Sequence, residues 1–286
     1  MRRKIGLIGA AIDACGGTRG ASDTPDILKE DMGRLGLLFE DIFYYKNGRH
    51  DIEELRKYFV NIAHSVKSIM QDKQFPIVVG GDHSCAIGTW SGVADELSCN
   101  SQTLGMIWCD AHMDAHTPET SPSGNIHGMP VATLLGYGYK DLINIINDNP
   151  KIKPENIILI GIRSFEYGEE ELLKQLGVQI YYNYDITKRG FNVVFNEAYS
   201  KLSTTVDKIG LSIDLDGFDP EFAPGVGTKE PDGINFNEFI ESLKLIDIKK
   251  IVALEITEGN SHFDPSGKTM RCITDIVSQV KDLEYA

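Results

Sequence analysis

The chain has 286 residues, 42% of them hydrophobic, ample for a packed core, and no segment approaches the ~18 consecutive apolar residues needed to span a bilayer. A net charge of −14 argues against nucleic acid or an anionic membrane surface as partner, and is compatible with a cationic substrate. Five cysteines (Cys15, Cys85, Cys99, Cys109, Cys272) form no CxxC pair, which points to a reduced, cytoplasmic protein.

The basic start Met1-Arg2-Arg3-Lys4 leads into an apolar run too short for a signal peptide, so Ile5 to Ala11 reads as a first strand. Gly16 to Gly20 is a flexible loop, and Pro25 opens a short helix through Arg34. Leu37 to Tyr45 holds a second strand. His50 to Met70 is a helix, because Ile52, Leu55, Phe59, Ile62, Val66 and Ile69 recur three and four apart. Strand Phe75 to Val79 precedes a helix from Ser84 to Leu97, and Leu104 to Ile107 is a buried strand. A Ser/Pro/Gly-rich loop, Thr117 to Asn125, ends in a helix beginning near His127. Then come strand Asn156 to Ile160, helix Glu169 to Leu176, strand Val178 to Tyr182 and helix Phe191 to Leu202. Strand Lys208 to Ile213, helix Phe236 to Leu245, strand Ile251 to Ile256 and a last helix around Met270 to Leu283 follow. About eight strands alternating with helices on short connections predict a mostly parallel sheet in a three-layer α/β/α arrangement, one domain over residues 1–286. A (β/α)8 barrel has the same alternation and is the alternative.

Three stretches carry chemistry. Gly80-Gly81-Asp82-His83-Ser84 follows Phe75 to Val79. Asp110-Ala111-His112-Met113-Asp114 follows Leu104 to Ile107, and Ser212-Ile213-Asp214-Leu215-Asp216 follows Ile209 to Leu211. Each sets His or Asp at the carboxyl end of a strand, the edge where open α/β sheets bind ligands. In extended chain Asp110, His112 and Asp114 would share one side, and a turn at the strand end could keep them converging. Together His83, Asp110, His112, Asp114, Asp214 and Asp216 offer two imidazoles and four carboxylates. That set suits a pair of hard or borderline divalent ions such as manganese, and does not suit a zinc thiolate site.

These stretches, with Ser212 to Pro220 read as a whole, resemble the three signatures of the ureohydrolases, the family of arginases, agmatinases and formiminoglutamases. The resemblance runs from the first strand to about residue 275. Ser121 to Pro130 looks like the arginase substrate loop, and Ala223 to Thr228 also fits. It implies an arginase-like fold and two Mn2+ ions. It further implies hydrolysis of L-arginine to L-ornithine and urea by a metal-bridging hydroxide, and a homo-oligomer, trimer or hexamer. By position, His83, Asp110, Asp114 and Asp214 resemble the ligands of one ion. His112, Asp110, Asp214 and Asp216 resemble those of the other, so Asp110 and Asp214 would bridge.

The same resemblance makes His127 a proton shuttle, and Asp114 or Asp216 a relay to the leaving amine. Glu258 becomes the carboxylate that pairs with the guanidinium, which is charged at all relevant pH. Thr228 falls near the guanidinium. Ser121, Ser123 and Asn125 match the carboxylate- and amine-binding segment, and Glu166 and Glu169 the contacts to the α-ammonium. Asp82 and Glu255 are expected to orient ligands. There are departures: His116 stands where arginases commonly carry Asn, Lys229 follows Thr228 where Pro is usual, and Gly259-Asn260-Ser261 replaces Asn-Pro. Other readings are a different ureohydrolase, namely an agmatinase, guanidinobutyrase or formiminoglutamase. A metal-binding scaffold without turnover, or a two-metal phosphoesterase, are the others. The scaffold would lack a ligand or His127; the phosphoesterase would bring cations to the ligand edge, where only Arg163 is placed.

Overall fold

The structure, a computed structural model, describes residues 3–47 and 51–285. Its centre is an eight-stranded sheet of β1 (Ile5–Ala11), β2 (Phe39–Tyr44), β3 (Phe75–Gly80), β4 (Leu104–Cys109), β5 (Ile157–Ile162), β6 (Gln179–Tyr182), β7 (Lys208–Asp214) and β8 (Ile251–Thr257). The order is β2-β1-β3-β8-β7-β4-β5-β6, and every pairing is parallel. Two free edges, β2 and β6, exclude the barrel alternative, because a barrel has no edge strand.

Burial on both faces explains why β3, β4 and β5 read as unbroken apolar runs. The period of two still sorts their side chains. Met106 and Trp108 join the core beneath α1 (Ile52–Gln71) and α2 (Ala86–Cys99). Ile107 and Cys109 join the opposite core, with α4 (Phe191–Thr205), α5 (Phe236–Leu243) and α6 (Lys268–Tyr285). The helix α3 (Tyr167–Leu176) buries Leu173 on the α1 side. Asp51 caps α1 by accepting from Glu54 N; the expected start at His50 lies outside the described residues. No described helix is long and apolar enough to cross a membrane.

The helix expected from Pro25 to Arg34 is broken into Thr24–Ile27 and Lys29–Arg34. A short helix over Asn183–Arg189 was not anticipated, because its one buried apolar side chain, Ile186, makes no periodic stripe. It is held by reciprocal capping between Tyr182 and Asp185 and ended by Gly190 at φ 85°. His127 lies in a single 3-10 turn, Ile126–Gly128, ahead of a helix that begins at Pro130; the proline takes the first helical position, where no N–H is needed.

Candidate metal centre and substrate cavity

The strands β3, β8, β7 and β4 are neighbours at the middle of the sheet, and their carboxyl ends carry the site. His83 opens the turn after β3, Asp110 follows β4 directly, Asp214 is the last residue of β7, and Glu258 follows β8. Of the two arrangements open to Asp110-x-His112-x-Asp114, an extended run or a turn at the strand end, the structure has the turn. The strand ends at Cys109, and Asp114 has φ 51°, so a turn makes the ligands converge. Glu258 is also left-handed, at φ 64°. Such backbone costs about 1–3 kcal/mol per residue and persists where the surroundings dictate it.

Around His83 Nδ1 stand Asp214 Oδ2 at 2.9 Å, Asp114 Oδ2 at 3.1 Å and Asp110 Oδ2 at 3.2 Å. A second group joins His112 Nδ1 to Asp216 Oδ2 at 3.2 Å and to Asp110 Oδ1 at 3.5 Å. Asp110 thus belongs to both groups, one oxygen to each; Asp214 is gathered with the first. His83 Nδ1 and Asp114 Oδ2 are buried, close together, and without a hydrogen-bond partner. Two such atoms 3.1 Å apart with no hydrogen bond between them form an arrangement that a cation would complete.

The electrostatics agree. Burial raises the pKa of Asp214 well above the carboxylate range, and the like charges of Asp216 and Asp110 raise it further. Burial and Asp110 push Asp114 to about 6. Burial opposes the charge on His83, but Asp110, Asp114 and Asp214 outweigh it and raise its pKa well above the usual value. So much negative charge in so little space fits two divalent ions, and the residues present are oxygen-rich as such ions require.

The supports are equally specific. Trp108 stacks on the His83 ring at 4.3 Å between centroids, and its Nε1 donates to Asp110 Oδ2 at 2.9 Å. His83 Nε2 lies 3.0 Å from Ser212 Oγ, which donates to Glu255 Oε2 at 2.9 Å. Trp90 Nε1 donates to the same oxygen at 3.0 Å. Glu255 thus fixes Ser212 against the His83 ring, while Asp82, accepting from Cys15 N and Ser84 N, pins the turn that carries His83. Trp108 and Ser212 were missed in the sequence. The available signal was their position two residues before Asp110 and Asp214, which for Ser212 and Asp214 is the same face of the strand.

Above the two groups lies a cavity of about 340 Å³, whose wall includes every substrate-contact residue expected from the sequence. Ser121, Ser123 and Asn125 line it from the loop, together with His116, Glu166, Glu169, Thr228 and Glu258. His127 Nδ1 is 3.0 Å from Glu258 Oε1, which also accepts from His83 N at 2.9 Å. Burial lowers the His127 pKa, but Glu258, Asp82 and Asp114 outweigh it and raise it to about 9. Thr228 Oγ1 donates to Asp216 Oδ2 at 2.8 Å. Both ring nitrogens of His116 are engaged, Nε2 with Glu166 Oε2 at 2.9 Å and Nδ1 with Thr120 Oγ1 at 3.2 Å. Glu169 accepts from Ala115 N and Glu166 N, fixing the start of α3. Arg163 turns its guanidinium onto the carbonyls of Gly161, Asp216, Gly217, Phe218, Glu230 and Pro231, so it is not a phosphate clamp.

The arginase-family sequence profile matches residues 3–281. The chain belongs to the arginase family. It is 37% identical to the arginase of Bacillus subtilis (strain 168), across 98% of each chain. The crystal structure of arginase from Bacillus cereus superposes with a TM-score of 0.89 at 33% identity, covering 98% of each chain. The arginase of Entamoeba histolytica, solved in complex with L-ornithine, gives 0.87 at 28% identity over 98% of this chain and 99% of that one. The arginase-family fold, a parallel sheet between helices, is therefore common to all of them.

Proposed function

We propose that this chain hydrolyses L-arginine to L-ornithine and urea at a binuclear manganese centre. The observation that carries the reading is the pair of imidazole–carboxylate groups that share Asp110 and adjoin a cavity lined by polar side chains. His83, Asp110, Asp114 and Asp214 would hold one ion, and His112, Asp110, Asp214 and Asp216 the other. When bound, two such ions supply a water whose pKa falls far below its bulk value of ~15.7.

The protein's own residues supply the rest. A guanidinium is a poor electrophile and its amine a poor leaving group, so substrate charge must be held and a proton delivered. Glu258 is the buried carboxylate at the cavity that pairs with the guanidinium. Thr228, fixed to Asp216, flanks it. His127 carries the proton that the leaving amine takes up, with Asp114 or Asp216 as the relay. At the mouth, Ser121, Ser123 and Asn125 face the α-carboxylate, and Glu166 faces the α-ammonium with His116 holding its other side. The Entamoeba protein's complex with L-ornithine, the amino-acid product of this reaction, supports the assignment.

The test is urea release by protein loaded with manganese, from L-arginine and from agmatine, which lacks the α-carboxylate. Polar groups left unpaired by agmatine should cost it about 10²–10⁴ in kcat/KM. No urea from arginine under any metal regime would sink the proposal, and equal use of agmatine would remove the α-carboxylate from the recognition scheme.

A further inference from the structure

We infer that Glu230 is a positioning residue for the second metal position, the outer carboxylate that accepts the Nε2–H of His112. This rests on the metal-site reading above. Metal-ligating histidines almost always give their other ring N–H to a carboxylate, carbonyl or water, which fixes the tautomer and the ring plane. His83 has such a partner in Ser212 Oγ, backed by Glu255. His112 turns Nδ1 toward Asp110 and Asp216, and its Nε2 makes no hydrogen bond among the described residues. The carboxylate facing that nitrogen is Glu230, Oε1 at 3.9 Å.

The loop that carries Glu230 is tied to the ligands of the same position. Thr228 Oγ1 donates to Asp216 Oδ2. Arg163 Nη2 donates both to Glu230 O at 2.9 Å and to Asp216 O at 2.8 Å, so one guanidinium bolts the loop to the turn that bears Asp216. Residues 228–230 therefore meet two ligands of one group, Asp216 through Thr228 and His112 through Glu230. The Glu230 backbone is held while its side chain, about one-third exposed at 32%, borders the cavity and is free to rotate onto Nε2. Closing from 3.9 Å to about 2.8 Å, the usual length of a charge-assisted bond, needs only a side-chain adjustment. Nothing in the sequence marks this residue, since Lys229-Glu230-Pro231-Asp232-Gly233 reads as an ordinary polar turn.

The experiment compares wild type, Glu230→Ala and Glu230→Gln, stripped with chelator, titrated with manganese and counted for bound metal by mass spectrometry. Wild type should hold two ions. Glu230→Ala should bind one as wild type does and the other about 10–100-fold more weakly. Glu230→Gln should fall between, because its amide oxygen still accepts but carries no charge. Neither change disturbs the fold, since Arg163 holds a backbone carbonyl that both variants keep. Two ions bound by Glu230→Ala as tightly as by wild type would overturn the inference. So would a raised KM for arginine with metal affinity unchanged, which would make Glu230 a substrate contact. If wild type itself fails to hold two ions, the site reading falls, and this inference with it.

Discussion

His127 is where chemistry and geometry bear on one side chain. Its backbone N–H donates to Cys15 O at 3.2 Å, and its ring meets Glu258, so the imidazole is placed from two directions. It coordinates no ion in the proposed scheme. His127→Asn should therefore keep both metals and lower kcat by about 10²–10⁴, the usual contribution of a general acid–base group. Metal counting beside the urea assay separates this from a damaged site. The sign of its pH dependence follows from its neighbours. Burial alone would lower the pKa, and the Glu258 carboxylate is the main group that raises it to about 9. A step that needs the imidazolium is available below the pKa of His127 and fades as pH rises through it. Bound cations push that limb down from 9, and Glu258→Gln, which deletes the raising charge, should push it lower still. An alkaline limb of the kcat profile unmoved in Glu258→Gln would detach His127 from the proton transfer.

At the scale of elements, the ligands come from strand ends, so the approach between strands sets the site. The turn after β3 shows how tightly. Gly81 N donates to Ala10 O and Asp82 N to Ile12 O, both at 2.8 Å, while Gly81 O accepts from Glu258 N at 2.7 Å. A Cβ on Gly81 would lie 1.8 Å from Ile12 O, which is backbone and has nowhere to go. Gly81→Ala should destabilise by at least ~1–3 kcal/mol, read as a lower midpoint in denaturant. It should also disturb Glu258, so a variant with wild-type stability and KM would show that this contact is loose. The same elements explain what could be read in the sequence. β3, β4 and β7 were legible because each apolar run stops abruptly at Asp or His, and a sheet buried on both faces leaves no other place for those charges. The bond between His116 and Glu166 was not legible. It joins residues 50 apart in the chain, and neither residue type announces its partner. Arg163 could be placed at the ligand edge, but not its task there: six carbonyls from three segments reach it only after folding.

For the whole molecule, the proposed centre would act, with ions bound, as a fastener across the middle of the sheet. The sheet order puts β3, β8, β7 and β4 side by side, and the four carboxylates and two histidines proposed as ligands come from the ends of β3, β4 and β7. Left without cations, those carboxylates repel one another in a buried place, as the raised pKa values of Asp114 and Asp214 record. Ions that bind the folded chain and not the unfolded one stabilise it by mass action, about 2.7 kcal/mol for each site at a hundredfold its Kd. Two sites give about 5 kcal/mol, and at about 2 °C per kcal/mol for a chain of this size the melting temperature should rise by about 10 °C. Thermal melts of chelator-stripped protein, with and without added manganese, measure this directly. Asp110→Asn loses the charge and one of the two oxygens by which Asp110 joins the groups, so its melting temperature should respond little to manganese. A wild type that melts at the same temperature in chelator and in excess manganese would mean that the six residues do not hold ions together. An Asp110→Asn variant that keeps the full rise would mean that the two groups do not depend on Asp110.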